Sequence, residues 1–433
     1  MEKIITLAIA FLMFIPFASI NGSNVASNMS TNNIPFLYVG GSGPDNYTSI
    51  QSAINDADNG YTIYVYPGNY NESIVINKSI SLIGIIEKGE KPAIYGSENN
   101  ATVLVEADNC TISVFIILNG EVGVQLRNSS YITVENITVK HAGVGIKLLN
   151  SDNNLIKNNE VTKSRGIGIW IDGFSSDSVI IQNSVVDNAG VGIGAEGTSI
   201  THGNSSNNII SYNVVAKNCD GMNIWDLVDS TISFNQVYSN QQYGITADDC
   251  SNLSILNNTI HDHTYIGLML NECSNCFISE NEMYENQAGL SIEATTRASE
   301  PAHDNVVTHN NIHQNGVGIY LEFYAKDNQL IYNNLINNDR NAYFFFGAGP
   351  FPNIWNANYW SDWNLPLPKP IKGTADFDFE RFWIRIPWFM FDKHPAMQPY
   401  GNFTLKNMAQ PMNTLEKEGL VSASSVRNFC IKP

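Results

Sequence analysis

Residues 143–165 read GVGIKLLNSDNNLIKNNEVTKSR, residues 166–189 read GIGIWIDGFSSDSVIIQNSVVDNA, and residues 243–264 read YGITADDCSNLSILNNTIHDHT. The lines share one template: an anchoring glycine, then three short apolar stretches of period two separated by Asn, Ser, Asp and Gly. Period two with β-branched residues makes strands, and such separators make turns. The glycine recurs at Gly123, Gly145, Gly168, Gly192, Gly221, Gly244, Gly267, Gly289 and Gly318, at intervals of 22, 23, 24, 29, 23, 23, 22 and 29 residues. Helical repeats of about 34 residues do not fit, whereas three strands per turn of this length is the geometry of a parallel β-helix.

Registering the repeats on the glycine tests that geometry. One position after it stand Val124, Ile146, Ile169, Ile193, Met222, Ile245, Leu268, Leu290 and Ile319. Three positions after it stand Leu126, Leu148, Ile171, Ala195, Ile224, Ala247, Leu270, Ile292 and Leu321. Both columns are apolar in every repeat, so they point inward and stack into a core. A further column, Asn136, Asn159, Asn183, Asn213, Asn235, Asn258, Asn281, Asn310 and Asn333 or Asn334, falls at a turn. Stacked asparagines bond to one another and to turn backbone, so this column reads as a structural ladder.

An open solenoid exposes unpaired edges and an apolar core, so both ends need covers. Near the N-terminus YTSIQSAINDA, residues 47–57, sets Ile50, Ala53, Ile54 and Ala57 on one helical face as a plug. After Asn338 aromatics crowd in, and five of the seven tryptophans lie between 355 and 388, which reads as a cap or a sugar platform. The expected organisation is therefore a signal peptide at 1–26, an N-terminal cap with the first rungs at 36–119, regular repeats at 120–340, an aromatic C-terminal cap at 341–400 and a polar tail at 401–433. The fold class is all-β, a single right-handed parallel β-helix.

The net charge is −18 with an isoelectric point near 4.7, and the 23 basic residues form no run or stripe. That excludes nucleic acid, whose binding needs concentrated positive charge, and argues against anionic lipid. An apolar stretch from Ile4 to Phe17 is too short to span a bilayer, and small and polar residues follow it from Ala18 to Ser30. This is the pattern of an export signal and predicts a place outside the cytoplasm, secreted or at the cell surface, without membrane insertion of the processed chain. Sequons at Asn46, Asn71, Asn77, Asn100, Asn109, Asn128, Asn136, Asn204, Asn252, Asn257 and Asn402 permit glycosylation there.

Positions two and four after each glycine must face outward on one sheet. The second column runs Gln125, Lys147, Trp170, Gly194, Asn223, Thr246, Met269, Ser291 and Tyr320; the fourth runs Arg127, Leu149, Asp172, Glu196, Trp225, Asp248, Asn271, Glu293 and Glu322. Aromatic faces stack on sugar rings, and carboxylates accept from hydroxyls or act as acid and base. Trp170, Trp225, Glu293, Tyr320 and Glu322 are the candidate glycan contacts. Asp172 and Glu196 on adjacent rungs, at about 5 Å, approach the spacing of retaining glycosidases. Glu196 and Asp248, two rungs apart at about 9.6 Å, stand at the upper edge of the inverting range, so these three are the candidate catalytic residues. An ordinary solvated acidic surface is the competing reading.

Stacked carboxylates also suit calcium, although the repeat lacks spaced Asp-Gly loops. His261, His263, His303, His309 and His313 are clustered in the chain, yet His261 lies six before the next glycine and His313 five, so no shared column is expected. Cys250 and Cys273 both lie six after their glycines, within disulfide reach on adjacent rungs; a bridge or a stacked pair of buried thiols fits. Cys276 adds a single CxxC with Cys273.

The opening YTSIQSAINDADNGYTIYVYPGNYNESIVINKSISLIG at 47–84, the repeats ending in NNxI or NNxV, and NANYWSDW at 356–363 resemble NosD-like β-helix proteins of the pectin-lyase-like superfamily. Many of these are archaeal surface proteins, and their repeats are described as carbohydrate-binding and sugar-hydrolysis units. The resemblance implies the β-helix fold over residues 36–363, and copper as a cofactor by analogy with the periplasmic accessory protein that names the family. In many members YWSD leads into an acidic GDGIGD-type stretch; here it runs into NLPLPKPIKGTADFDFERF, so a metal site there is not expected. The expected function is binding of a polysaccharide or surface glycan on one sheet face. The alternatives are a polysaccharide hydrolase or lyase using its carboxylates, and a structural or copper-site accessory protein.

Overall fold

The computed structural model describes residues 35–197, 205–294, 300–347, 350–379 and 382–401. The expected signal peptide and the tail beyond residue 401 lie outside them. Among the described residues there is one helix, Ile50–Asp56; the remaining elements are strands, most of them three to six residues long. Each turn of the solenoid contributes three strands, and each strand pairs in parallel with its counterpart one turn on. Ile146 meets Ile169, Thr133 meets Leu155, and Thr138 meets Glu160. We call the strands that carry the glycine column the anchor strands.

The sheet formed by the third strand of each turn has 13 members, from Asn69–Tyr70 to Tyr359–Trp360, so the solenoid continues past the glycine-registered rungs at both ends. The glycine signal stops because other residues take its place. Val122 and Val124 pair with Ala101 and Val103, which sets Thr102 opposite Gly123. Val317 and Ile319 pair with Arg340 and Ala342, which sets Asn341 opposite Gly318. Residues 340–347 and 350–360 thus belong to a further turn of the helix, and Phe344, Phe346, Trp355 and Trp360 are its core side chains.

Both apolar columns are fully buried, from Val124 and Leu126 to Ile319 and Leu321. Each Ile or Leu so removed from water contributes about 1.5–3 kcal/mol, and parallel strands buried on one face and paired on both edges need that stacking. The anchor glycines are required by close approach. A Cβ on Gly244 would stand 2.3 Å from the Gly267 carbonyl oxygen and 2.6 Å from Ile260 Cγ2.

The asparagine ladder is present and runs Asn159, Asn183, Asn213, Asn235, Asn258, Asn281, Asn310, Asn333 and Asn358. From Asn183 on, each Oδ1 accepts from the backbone and side-chain amides of the residue one rung earlier, as Asn258 Oδ1 does from Asn235 N and Nδ2, both at 3.0 Å. Asn136 is not a member: Ile137 occupies the ladder position, donating to Asn159 Oδ1 at 3.1 Å, and Asn136 sits one residue earlier in a left-handed turn at φ 54°. A second ladder unseen in the sequence runs Asn188, Asn218, Asn240, His263, Asn286, Asn315 and Asn338.

The helix Ile50–Asp56 buries Ile50, Ala53 and Ile54, with Ala57 just beyond it, over the first turn, as its spacing predicts. Glu72 closes its N-terminus, accepting from Ile50 N at 2.8 Å and Gln51 N at 3.0 Å. At the other end the antiparallel strands Lys369–Phe379 and Phe382–Asp392 form a hairpin against the last turn. Buried Asp392 ends the first ladder, accepting from Asn358 N at 2.9 Å and Trp360 Nε1 at 2.9 Å. No helix among the described residues is long and apolar enough to cross a membrane.

Candidate functional site

The outward columns lie where the glycine register puts them. Glu196 pairs with Trp225, Trp225 with Asp248, Asp248 with Asn271, and Asn271 with Glu293. Ser291 pairs with Tyr320 and Ile292 with Leu321, which sets Glu293 beside Glu322. One face of the anchor strands therefore carries Asp172, Glu196, Trp225, Asp248, Glu293 and Glu322 in a single file, rungs about 4.8 Å apart.

At the N-terminal end of this face the residues are already engaged. The Lys147 ammonium lies 2.7 Å from Asp172 Oδ2 and 3.7 Å from the centroid of the Trp170 ring. Asp172 is thus a paired anion and one face of Trp170 is covered. Trp225 is different: it is 46% exposed, with Glu196 and Asp248 on either side in the column. Burial, then Asp172 and Asp226, raise the Glu196 carboxyl.

The most perturbed group lies further along. Burial, then the neighbouring Glu322 carboxylate, push the Glu293 carboxyl up to about 7, against an opposing hydrogen bond from Ser291 Oγ at 3.2 Å. Glu322 is raised chiefly by burial, and bonds from Tyr320 and Glu293 hold it partly back. With its carboxyl at about 7, Glu293 is the member of the pair that still carries a proton as neutral pH is approached, and it then donates a hydrogen bond to Glu322, which also accepts from Tyr320. Two rungs toward the N-terminus, Asp248 is raised by burial and accepts from Asn271 Nδ2 at 2.8 Å. The Tyr243 phenol, raised by burial and then by Glu293, completes this cluster.

The sequence register did not place a second line of acids at the turn just past the column. Asp226, Asp249 and Glu272 stand one position after Trp225, Asp248 and Asn271, each in the left-handed region. Burial and then Glu272 raise Asp249 to about 6. Their regular spacing after the column was the signal that could have found them.

Two of the histidines, His261 and His313, do share a column, contrary to the expectation. His261 pairs with Tyr284 and Tyr284 with His313, their rings stacked at 4.5 and 5.0 Å. The turn after His261 is one residue longer, which spoils a count made from the following glycine. His261 Nδ1 lies 2.7 Å from Asp262, and its ligand atoms fall within 4.8 Å of those of Asp262 and Glu285, the one group of this kind among the described residues. His263 faces inward, with its ring nitrogens toward the carbonyls of Asn240 and Val237, and burial lowers it to about 4. Cys250 and Cys273 are free, buried thiols in place of the expected bridge, as are Cys110 and Cys276. Each sulfur of the stacked pair is turned to backbone carbonyls, Cys250 Sγ to Asp248 O at 3.1 Å and Cys273 Sγ to Ala247 O at 3.2 Å.

Residues 194–365 match the family model described as periplasmic copper-binding protein (NosD), and residues 86–236 match that of the right-handed β-helix region. The repeats are of the NosD-like right-handed β-helix type. A cell surface glycoprotein of Methanothermus fervidus is 30% identical over 206 residues, which are 39% of this chain and only 32% of that relative. Among solved structures, the A-module of the mannuronan C-5 epimerase AlgE6 from Azotobacter vinelandii superposes with a TM-score of 0.58 at 14% identity, covering 70% of this chain and 92% of that one. The catalytic domain of a GH87 α-1,3-glucanase in complex with tetrasaccharides gives 0.59 at 17%, covering 74% of this chain and 68% of that one. A family 28 exopolygalacturonase of Yersinia enterocolitica gives 0.54 at 11%, covering 71% and 76%. At these identities the likenesses establish a shared right-handed β-helix fold and nothing of its chemistry.

Proposed function

We propose that this NosD-like protein acts outside the cytoplasm, at the cell surface, and binds a glycan chain along the outward face of its anchor strands. The observation that carries the reading is the line from Trp225 to Tyr320: an exposed indole followed by half-buried carboxylates, hydroxyls and an amide at rung spacing. An aromatic ring stacks on a sugar face while carboxylates accept from its hydroxyls. The surface-glycoprotein relative supports the location, and the epimerase, glucanase and polygalacturonase neighbours support a glycan as the kind of ligand. Trp225, Glu293, Tyr320 and Glu322 are the main contacts; Trp170, held under Lys147, is a flanking one.

Hydrolysis on the same face is the second reading, favoured by the protonated Glu293. A carboxylic acid poised near neutral pH suits a general acid. Asp248, two rungs away at about 9.6 Å, stands at the upper limit for a base activating water in an inverting reaction. Asp172 is neutralised by Lys147 and is the weakest of the three carboxylates first singled out; Glu196 remains a contact.

Binding of the purified chain to a glycan array tests the reading, with Trp225→Ala and Tyr320→Ala measured in parallel. A ligand bound by the parent and lost by at least tenfold in both variants is the expected result. Binding unchanged in both would move the site elsewhere, and release of reducing ends from the bound glycan, abolished by Glu293→Gln, would favour the hydrolase.

A further inference from the structure

Given the proposed glycan-binding face, called the groove below, its charge selects the ligand. From Glu196 to Glu322 the face presents six rungs whose outward carboxylates are Glu196, Asp248, Glu293 and Glu322, and the turn beside them adds Asp226, Asp249 and Glu272. No lysine or arginine stands in the two outward columns between those rungs. Among the described residues, the cations beside the two ends of this stretch are engaged. Lys147 is held by Asp172 at 2.7 Å, and Arg385 by Asp376 at 2.8 Å. Arg340 lies over the Tyr343 ring at 4.5 Å, one rung beyond Tyr320.

We infer that the groove takes an uncharged polysaccharide and rejects polyuronates. Two physical arguments meet here. Ionised carboxylates only accept hydrogen bonds, so a ligand that satisfies them must bring donors, and the hydroxyls of a neutral sugar are donors on every residue. A uronate brings another acceptor-only anion to each rung, in a site where burial weakens screening by water. Added negative charge is already resisted here, since burial and then Glu322 push the Glu293 carboxyl up to about 7. A further fixed anion on the ligand would have to be protonated too, or be bridged by a cation.

The test measures equilibrium binding of the full chain and of Trp225→Ala to oligosaccharides of equal length. One set is mannan, α-glucan and β-glucan fragments; the other is alginate and polygalacturonate fragments. Each is run with EDTA and again with calcium. Trp225 is exposed, so its removal leaves the core intact, and circular dichroism checks that. At least one neutral oligosaccharide should bind tenfold or more tighter than any uronate under both conditions, and Trp225→Ala should weaken it at least tenfold. The double variant Glu293→Gln, Glu322→Gln should narrow the gap between neutral and uronate ligands at least threefold. A uronate bound as tightly as the best neutral ligand, with or without calcium, and lost in Trp225→Ala, would overturn the neutral class and leave the groove in place. Binding of no oligosaccharide, or binding indifferent to Trp225→Ala, would overturn the groove itself.

Discussion

The Glu293 carboxyl donates a hydrogen bond to the Glu322 carboxylate on the next rung of the same column, with Tyr320 donating to Glu322 from the rung they share. Two acids one rung apart in a half-buried groove cannot both ionise at neutral pH without a counter-charge. That pair, with Asp248 two rungs away and Trp225 three, makes this stretch of the solenoid chemically unlike the rest.

Glu293 gives a stability signature. Its carboxyl rises from 4.5 to about 7 on folding, so its contribution is fully present below pH 4.5 and is lost as pH rises to about 7. At about 1.4 kcal/mol per unit, the shift corresponds to about 3 kcal/mol. Glu293→Gln should be close to the parent in stability at pH 4.5 and more stable than it at pH 8. Denaturant titrations at the two values check this; an unchanged difference would contradict the shared proton.

His263 gives the opposite signature. Burial lowers it from 6.5 to about 4, so its contribution is present above pH 6.5 and is lost as pH falls toward 4. Asparagine at this position would rejoin the second ladder, offering Oδ1 to Asn240 below and its amide to Asn286 above. His263→Asn should therefore flatten the loss of melting temperature between pH 6.5 and 4, measured by calorimetry.

The first ladder should be costly to break in its middle. Asn258→Ala removes the acceptor of Asn235 N and Nδ2 and the donor to Ile232 O at 2.9 Å, all buried. Leaving such groups unpaired costs about 3 kcal/mol in total. Denaturant midpoints should fall accordingly, whereas Asn136→Gly, outside the ladder and in a left-handed turn that glycine tolerates, should change stability by about 0.5 kcal/mol or less.

The architecture was legible because a solenoid repeats its constraints. Gly123 to Gly318 mark where one turn's carbonyls crowd the next, and the columns beginning at Val124 and Leu126 follow from period two. The site was legible in part. Register put Glu293, Tyr320 and Glu322 on one face, but which acid keeps a proton depends on burial and on neighbours such as Lys147 beside Asp172, which no single column shows. Where turn length varies, counting failed: His261 and His313 share a column that glycine spacing denied, and the second ladder with His263 went unseen for the same reason. Asn136 matched the ladder's composition while sitting one residue off its register.

The central claim is a location, and covalent footprinting tests it most directly. The chain is treated with a carbodiimide and glycine amide, which modify exposed carboxyls, and with hydroxyl radicals, which modify exposed rings, free and with its bound oligosaccharide. The account predicts protection of Trp225, Asp248, Glu293, Tyr320 and Glu322, with Tyr212, Phe234 and Trp388 unchanged. Protection confined to those last three, with the anchor-strand face equally reactive in both states, would contradict it.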